Sequence, residues 1–201
     1  MMKILIIGGN GTIGAPVAAH LKERHEVIIA GRNSGDLTVD FSDSNSLANM
    51  FQKVGKLDAI VAIAGDAKWD KFKNLSEEDF YIGIKSKMMG QVNVVRLGLD
   101  YLNPGGSITL STGILADEPV DMTTSAAMVN GAIQSFVLAL ALELEDNKRV
   151  NVVSADLVED AYEKYKNYFP GNIPVPMSKV IGAYVKCIEG KINGQILRTR
   201  A

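Results

Sequence analysis

Cysteine is almost absent from this chain of 201 residues. Cys187 is the only one, which excludes an internal disulfide and any thiolate zinc cluster. Histidine is nearly as scarce: His20 and His25 flank the first expected helix, away from any strand end, and read as structural or solvent-exposed. No metal site is expected. No run approaches the ~18 apolar residues of a membrane span. Residues 4–7 are too short, and end in the wrong residues, for a secretory signal. A net charge of −2 gives no electrostatic reason to expect nucleic acid or anionic lipid as a partner. Repeats and low-complexity segments are also missing. What remains is a 47% hydrophobic chain of one-domain size, residues 1–201, expected to be soluble and cytoplasmic.

The richest stretch is Lys3-Ile-Leu-Ile-Ile-Gly-Gly-Asn-Gly-Thr-Ile-Gly14. Ile4 to Ile7 reads as a strand buried on both faces. Gly8, Gly9, Gly11 and Gly14 follow, and then an apolar pattern of helical period. Gly8-x-x-Gly11-x-x-Gly14 is a variant of the dinucleotide fingerprint, in which glycines permit a tight turn and let the backbone approach a pyrophosphate. The N-terminus of the next helix offers N–H groups and partial positive charge to that anion. Its place between strand and helix assigns Gly8, Asn10, Gly11, Thr12, Ile13 and Gly14 to a nucleotide site.

Further along, strands alternate with helices. Helices are expected over 12–24, from 43 to 54, from 76 with an interruption to 102, over 128–144 and over 178–189. Strands are expected at 27–30, 37–39, 58–64, 107–111, 150–154 and 193–198. This alternation implies right-handed crossovers and an α/β fold, a doubly wound parallel sheet with helices on both faces. Residues 66–74 and 157–176 fit no regular element and read as a functional rim or flap.

The exit of the second strand meets the adenosine ribose in such a fold, and an acidic residue there would bind the free 2′-hydroxyl of NAD. This chain has Arg32 instead, beside Asn33 and Ser34. A guanidinium grips a 2′-phosphate through two charge-assisted hydrogen bonds, which favours NADP as cofactor.

Taken together, these residues resemble the short-chain dehydrogenase/reductase family over nearly the whole chain. Asp40 looks like the family's adenine-contacting Asp, and Ala62-Ile-Ala64-Gly65 is similar to the second half of its Asn-Asn-Ala-Gly turn. Gly106-Ser-Ile-Thr-Leu-Ser-Thr-Gly113 is similar to the strand that ends in the catalytic Ser. Leu140-Ala-Leu-Glu-Leu144 and Arg149-Val-Asn-Val-Val-Ser154 resemble the next helix and strand. The resemblance implies a Rossmann-like fold, a nicotinamide nucleotide, a small-molecule substrate and a homodimer or homotetramer. Met88, Met89, Met122 and Met128 fall near the helices the family uses for dimerisation, and suit an ordinary core equally.

The family's chemistry uses a Tyr as general acid, a Lys four residues on that holds the ribose, and a Ser that binds the substrate oxygen. Counting back from Leu140 to Leu144 puts Ala126 at the Tyr position and Asn130 at the Lys position, and no one-residue slip restores the pair. Pro-Gly after the sixth strand is replaced by Ala155-Asp156. The remaining candidates for catalysis are Ser111 and Thr112, with no choice between them, Lys87 three residues before Gly90, and Asn130 as a ribose hydrogen-bonding group. Ala64 and Gly65 join the cofactor site. Tyr162, Tyr165, Tyr168 and Trp69 sit in the two irregular stretches, as pocket walls or as packing. Two functions fit: an NADP-dependent oxidoreductase of a small carbonyl-type substrate with rearranged proton delivery, or a non-catalytic NADP(H) sensor.

Overall fold

A computed structural model describes all residues, 1–201. Seven parallel strands form one sheet in the order β3-β2-β1-β4-β5-β6-β7. They are β1 (Lys3–Ile7), β2 (Glu26–Gly31), β3 (Leu37–Thr38), β4 (Leu57–Ala62), β5 (Leu102–Gly113), β6 (Arg149–Ala155) and β7 (Ile196–Thr199). The helices are α1 (Gly14–Lys22), α2 (Ser44–Val54), α3 (Glu77–Gly83), α4 (Met89–Gly98), α5 (Thr124–Leu140), α6 (Glu159–Tyr165) and α7 (Met177–Glu189).

The period of two along β1 divides the core. Ile4 and Ile6 pack with Val17 and Leu21 of α1 and Val180 and Tyr184 of α7. Leu5 and Ile7 point the other way, into the cluster with Phe51 of α2, Val94 of α4 and Ile133 and Val137 of α5. A strand apolar on both faces therefore carries a helical layer on each, as parallel sheets require. The chain winds outward from β1 through β2 and β3, then returns to the other side of β1 at β4. That reversal opens a crevice at the carboxyl ends of β1 and β4, where such sheets hold ligands.

Several expected boundaries shift. The helix expected over 128–144 starts four residues earlier and stops at Leu140. Its first turn buries Ser125 and Ala126, whereas Leu142 is left exposed. Strand β5 extends beyond 107–111 at both ends and carries an irregularity opposite residues 57–59. The stretch 157–176 is not irregular throughout. It contains α6 and a following turn of 3-10 helix at Lys166–Tyr168. Glu159 and Asp160 in the first turn and Tyr165 three residues after Tyr162 were the local signals for it. The expected interruption between 76 and 102 is a π-helical turn, Ile84–Met88, set between α3 and α4.

Candidate active site

The glycine turn is shaped by close approaches. Gly8 lies at φ +84°, and a Cβ there would sit 2.2 Å from the Ile63 carbonyl oxygen. A Cβ on Gly14 would sit 2.1 Å from the Gly8 carbonyl oxygen, so the first turn of α1 is pressed onto the end of β1. Gly11 differs: its Cβ would touch only the Gly8 oxygen, at 3.4 Å, with open space beyond. The fold needs Gly8 and Gly14 bare, while Gly11 is exposed with open space over it. The Asn10 amide donates to the Ser34 hydroxyl at 3.0 Å and ties this turn to the exit of β2. Thr12 and Asn33 are exposed on the same rim.

A hollow of about 180 Å³ opens beside the turn, walled by Gly8, Arg32, Val39, Phe41, Ala64 and Gly65 among others. The Asp40 carboxylate points away into its own loop, accepting from the Ser42 amide at 2.9 Å and the Ser42 hydroxyl at 2.7 Å. Those two bonds, with a smaller contribution from the Arg32 charge, hold it below the usual carboxylate range. Its neighbours Val39 and Phe41, rather than its side chain, line the hollow.

Gly65 and Asp66 also wall a second hollow of about 500 Å³, with Lys87, Asn130, Gly113, Ala126, Trp69, Tyr165 and Tyr168. Gly65, at φ +107°, is packed so tightly that a Cβ would lie 2.5 Å from the Lys87 Cα. The Asp66 amide donates to the Ser86 hydroxyl at 3.1 Å, fixing the π-helical turn against the end of β4. Such turns occur often at functional sites because they re-aim one side chain. Here the turn carries Lys87. Lys87 is half-buried, and burial lowers its pKa from 10.5 to about 8 against the opposing pull of Asp66. Across the hollow, Asn130 of α5 is buried and its Oδ1 has no hydrogen-bond partner.

A third hollow, about 210 Å³ and mostly apolar, continues past Gly113 to Ile13, Thr112, Leu157 and Asp156. Burial raises the pKa of Asp156, and the nearby Glu118 adds to the shift. The three hollows lie side by side along the strand ends, Gly65 and Asp66 shared by the first and second and Gly113, Trp69 and Tyr165 by the second and third.

Ser111 is not on that track. Its hydroxyl lies 2.7 Å from the Tyr184 hydroxyl, in the layer beneath α7, which removes it as a substrate-binding group. Thr112 lines the third hollow, with Gln134 donating to its hydroxyl at 3.4 Å. Sequence reasoning overlooked Gly113, the strand-end position that faces both hollows, and Gln91. The buried Gln91 side chain donates to the Ser111 carbonyl at 2.9 Å and accepts from the Ser111 amide at 2.8 Å. It replaces the ladder that β4 no longer supplies beyond Val61, which pairs with Thr109. An uninterrupted Gln in an apolar helix pattern was the only signal of it.

A family model described as Enoyl-(Acyl carrier protein) reductase matches residues 13–172, most of the chain. The chain belongs to the short-chain dehydrogenase/reductase family. The solved structure of the protein lin1944 from Listeria innocua is 42% identical, with a TM-score of 0.97 over 98% of this chain and 99% of that one. A small-chain dehydrogenase solved in complex with NADPH is 28% identical, with a TM-score of 0.86 over 98% and 96% of the two chains. Elsinochrome reductase 1 of Elsinoe fawcettii is 27% identical over 196 residues, covering 84% of this chain and 73% of its own. Within the family, this member combines a glycine-rich turn of the expected build with a cleft floored by Gly113, Ala126 and Asn130. Two lysines, Lys87 of the π-helical turn and Lys68, line that cleft.

Proposed function

We propose that this short-chain dehydrogenase/reductase is an NADP-dependent oxidoreductase of a small carbonyl-type substrate. The observation that carries this is the pair of neighbouring hollows at the strand ends, one lined by Arg32 and the other by Lys87 and Asn130. The residues present fit the nucleotide. Val39, Phe41 and Ala64 make an apolar slot for an adenine, and the space over Gly11 is the room a pyrophosphate needs. Arg32 supplies charge for a 2′-phosphate. The NADPH-bound relative and the reductase names of the curated relatives support the same reading.

Bound NADPH supplies a hydride to the substrate carbonyl carbon. The chain's own residues do the rest. Asn130, in the wall of the cleft, offers a ribose hydroxyl its side-chain amide without adding charge. Lys87 places its ammonium beside the oxygen on which negative charge develops, and a preorganised donor in a partly dehydrated cleft stabilises that charge strongly. Trp69, Tyr165 and Tyr168 line the cleft as an aromatic wall. Their rings pack with centroids 5.8 Å and 5.7 Å from that of Trp69.

The test is a fluorescence titration of NADPH and NADH against wild type and Arg32→Ala. A charge-assisted contact of ~1.5–3 kcal/mol corresponds to a 10- to 100-fold preference for NADPH. The substitution should erase that preference, and equal wild-type affinities would reject NADP as the cofactor. NADPH oxidation is then screened over aldehydes, ketones and quinones. Tight NADPH binding with no turnover on any of them would reassign the protein as a sensor.

Self-association is a further part of this reading. Tyr81, Ile82, Met89, Met128 and Leu138, on α3, α4 and α5, are large apolar side chains left exposed on the single chain. Light scattering should give the mass of a dimer or tetramer. A monomer at micromolar concentration would reject this assignment.

A further inference from the structure

We propose that the Asp156 carboxylate makes the third hollow a pocket for the oxidised, cationic nicotinamide ring, so that the protein holds NADP⁺ more tightly than NADPH. This rests on the NADP reading above and adds to it a residue that tells the two redox states apart.

The placement follows from the two ends of the glycine turn. Gly8, at its start, walls the first hollow together with Arg32, whereas Ile13, at its end, walls the third. A dinucleotide with its adenine in the first hollow and its pyrophosphate over the turn carries its second ring toward the third. The two halves of such a sheet take the two halves of the nucleotide. The third hollow suits an aromatic ring, since its lining is mostly apolar, with Ile13, Ile114, Leu157 and Val158 in it. It shares Gly113, Trp69 and Tyr165 with the second hollow, which holds Lys87 and Asn130. A ring in the third hollow therefore borders the cleft assigned to the substrate.

Asp156 is the one charged residue in that lining. It directly follows β6, and its amide donates to the Thr199 carbonyl of β7 at 3.3 Å, which fixes it between two strand ends. Its Oδ1 accepts from the Leu157 amide at 2.6 Å and from the Asn172 side-chain amide at 3.4 Å. No ion pair neutralises it. Arg200, whose charge acts on it, is paired with Glu118 at 2.6 Å, and Glu118 adds its own negative charge nearby. A half-buried carboxylate in an apolar lining is screened less than one in open water.

The nicotinamide ring bears a positive charge in NADP⁺ and none in NADPH, while the adenine, riboses and phosphates are the same in both. Contacts to those shared parts, including those of Arg32 and the glycine turn, cancel when the two forms are compared. What differs is the attraction of Asp156 for the charge on the ring. Lys87 opposes it, but lines only the adjoining hollow, so the carboxylate is the nearer charge. A factor of ~10 in affinity requires only part of the attraction between two unit charges close together at a protein surface.

The experiment measures dissociation constants for NADPH, from its own fluorescence, and for NADP⁺, by displacement of NADPH, in wild type and Asp156→Asn. Asparagine keeps the shape and an oxygen for the Leu157 amide but carries no charge. Wild type should bind NADP⁺ at least ~10-fold more tightly than NADPH. In Asp156→Asn that preference should shrink by ~10-fold, through loss of NADP⁺ affinity with NADPH affinity unchanged. A merely structural role for Asp156 would weaken both forms equally and leave their ratio where it was, which would overturn the proposal. Wild-type protein that binds NADPH as tightly as NADP⁺ would also overturn it, a result that needs no variant and stands if Asp156→Asn does not fold. Tight binding of both nucleotides in either of those cases leaves the NADP reading intact. Binding of neither would overturn both readings.

Discussion

Lys87→Met is expected to lower kcat for NADPH oxidation by about 10²- to 10³-fold, the magnitude that follows removal of one preorganised donor from a developing oxyanion. The substitution keeps the length and much of the apolar stem but removes the only ammonium that burial has pulled down to about 8. Because the pKa is lowered, the charged form is lost as pH rises through about 8, far below the ordinary lysine value. Turnover should therefore be flat on the acid side of that point and fall on the alkaline side. Lys87→Arg separates charge from geometry, since a guanidinium stays protonated throughout. In that variant the alkaline fall should move up or vanish, even if the rate is lower overall. The measurement is a kcat profile from pH 6 to 10 for all three proteins, with folding checked by circular dichroism. A Lys87→Met enzyme that keeps the wild-type rate and the wild-type profile would remove Lys87 from the chemistry.

Gly11→Val should abolish nucleotide binding in a protein that is still folded. A Cβ at this position meets only the Gly8 oxygen, at ordinary contact distance, so added bulk extends into open space and not into the fold. Gly14 is the control. A Cβ there would overlap the Gly8 carbonyl at 2.1 Å and come within 2.9 Å of the Gly9 Cα, so even Gly14→Ala must displace backbone. Overpacking of this kind costs about 1–3 kcal/mol. Thermal melts should place Gly11→Val near wild type and Gly14→Ala well below it, while NADPH titration shows no binding by the first. Retained NADPH affinity in folded Gly11→Val would mean that the phosphates lie elsewhere.

How much of this was legible beforehand depends on how local the information is. Residues 3–14 carry both the strand period and the glycine spacing, and these determined the first βα turn and its place at the cleft. The alternation of apolar runs with helical patterns was enough for a parallel doubly wound sheet. The placing of Ala126 and Asn130 at the family's Tyr and Lys positions rests on the count from a helix and strand downstream, and the structure adds that both residues line the cleft. Cap chemistry also spoke for itself: Ser76 and Asp79 bond reciprocally at the start of α3, as their spacing implies.

Other features depended on partners distant in the chain. Ser111 and Thr112 are adjacent, and a strand turns them to opposite faces, but only the packing of α7 and α5 shows which face is which. Tyr184, 73 residues away, claims the first hydroxyl and Gln134 the second. Lys87 reads as an exposed helical lysine until Gly65 allows its backbone within contact and Asp66 and Asn130 join it in lining one hollow. Helix α6 has too few residues to show a period, and its Tyr165 finds a role only by meeting Trp69 across the cleft. The sequence alone determined the elements and the nucleotide turn, because those follow from spacing within a few residues. Tertiary structure alone decided which side chains share the cleft, because a parallel sheet brings together strand ends that the chain reaches only after long crossovers.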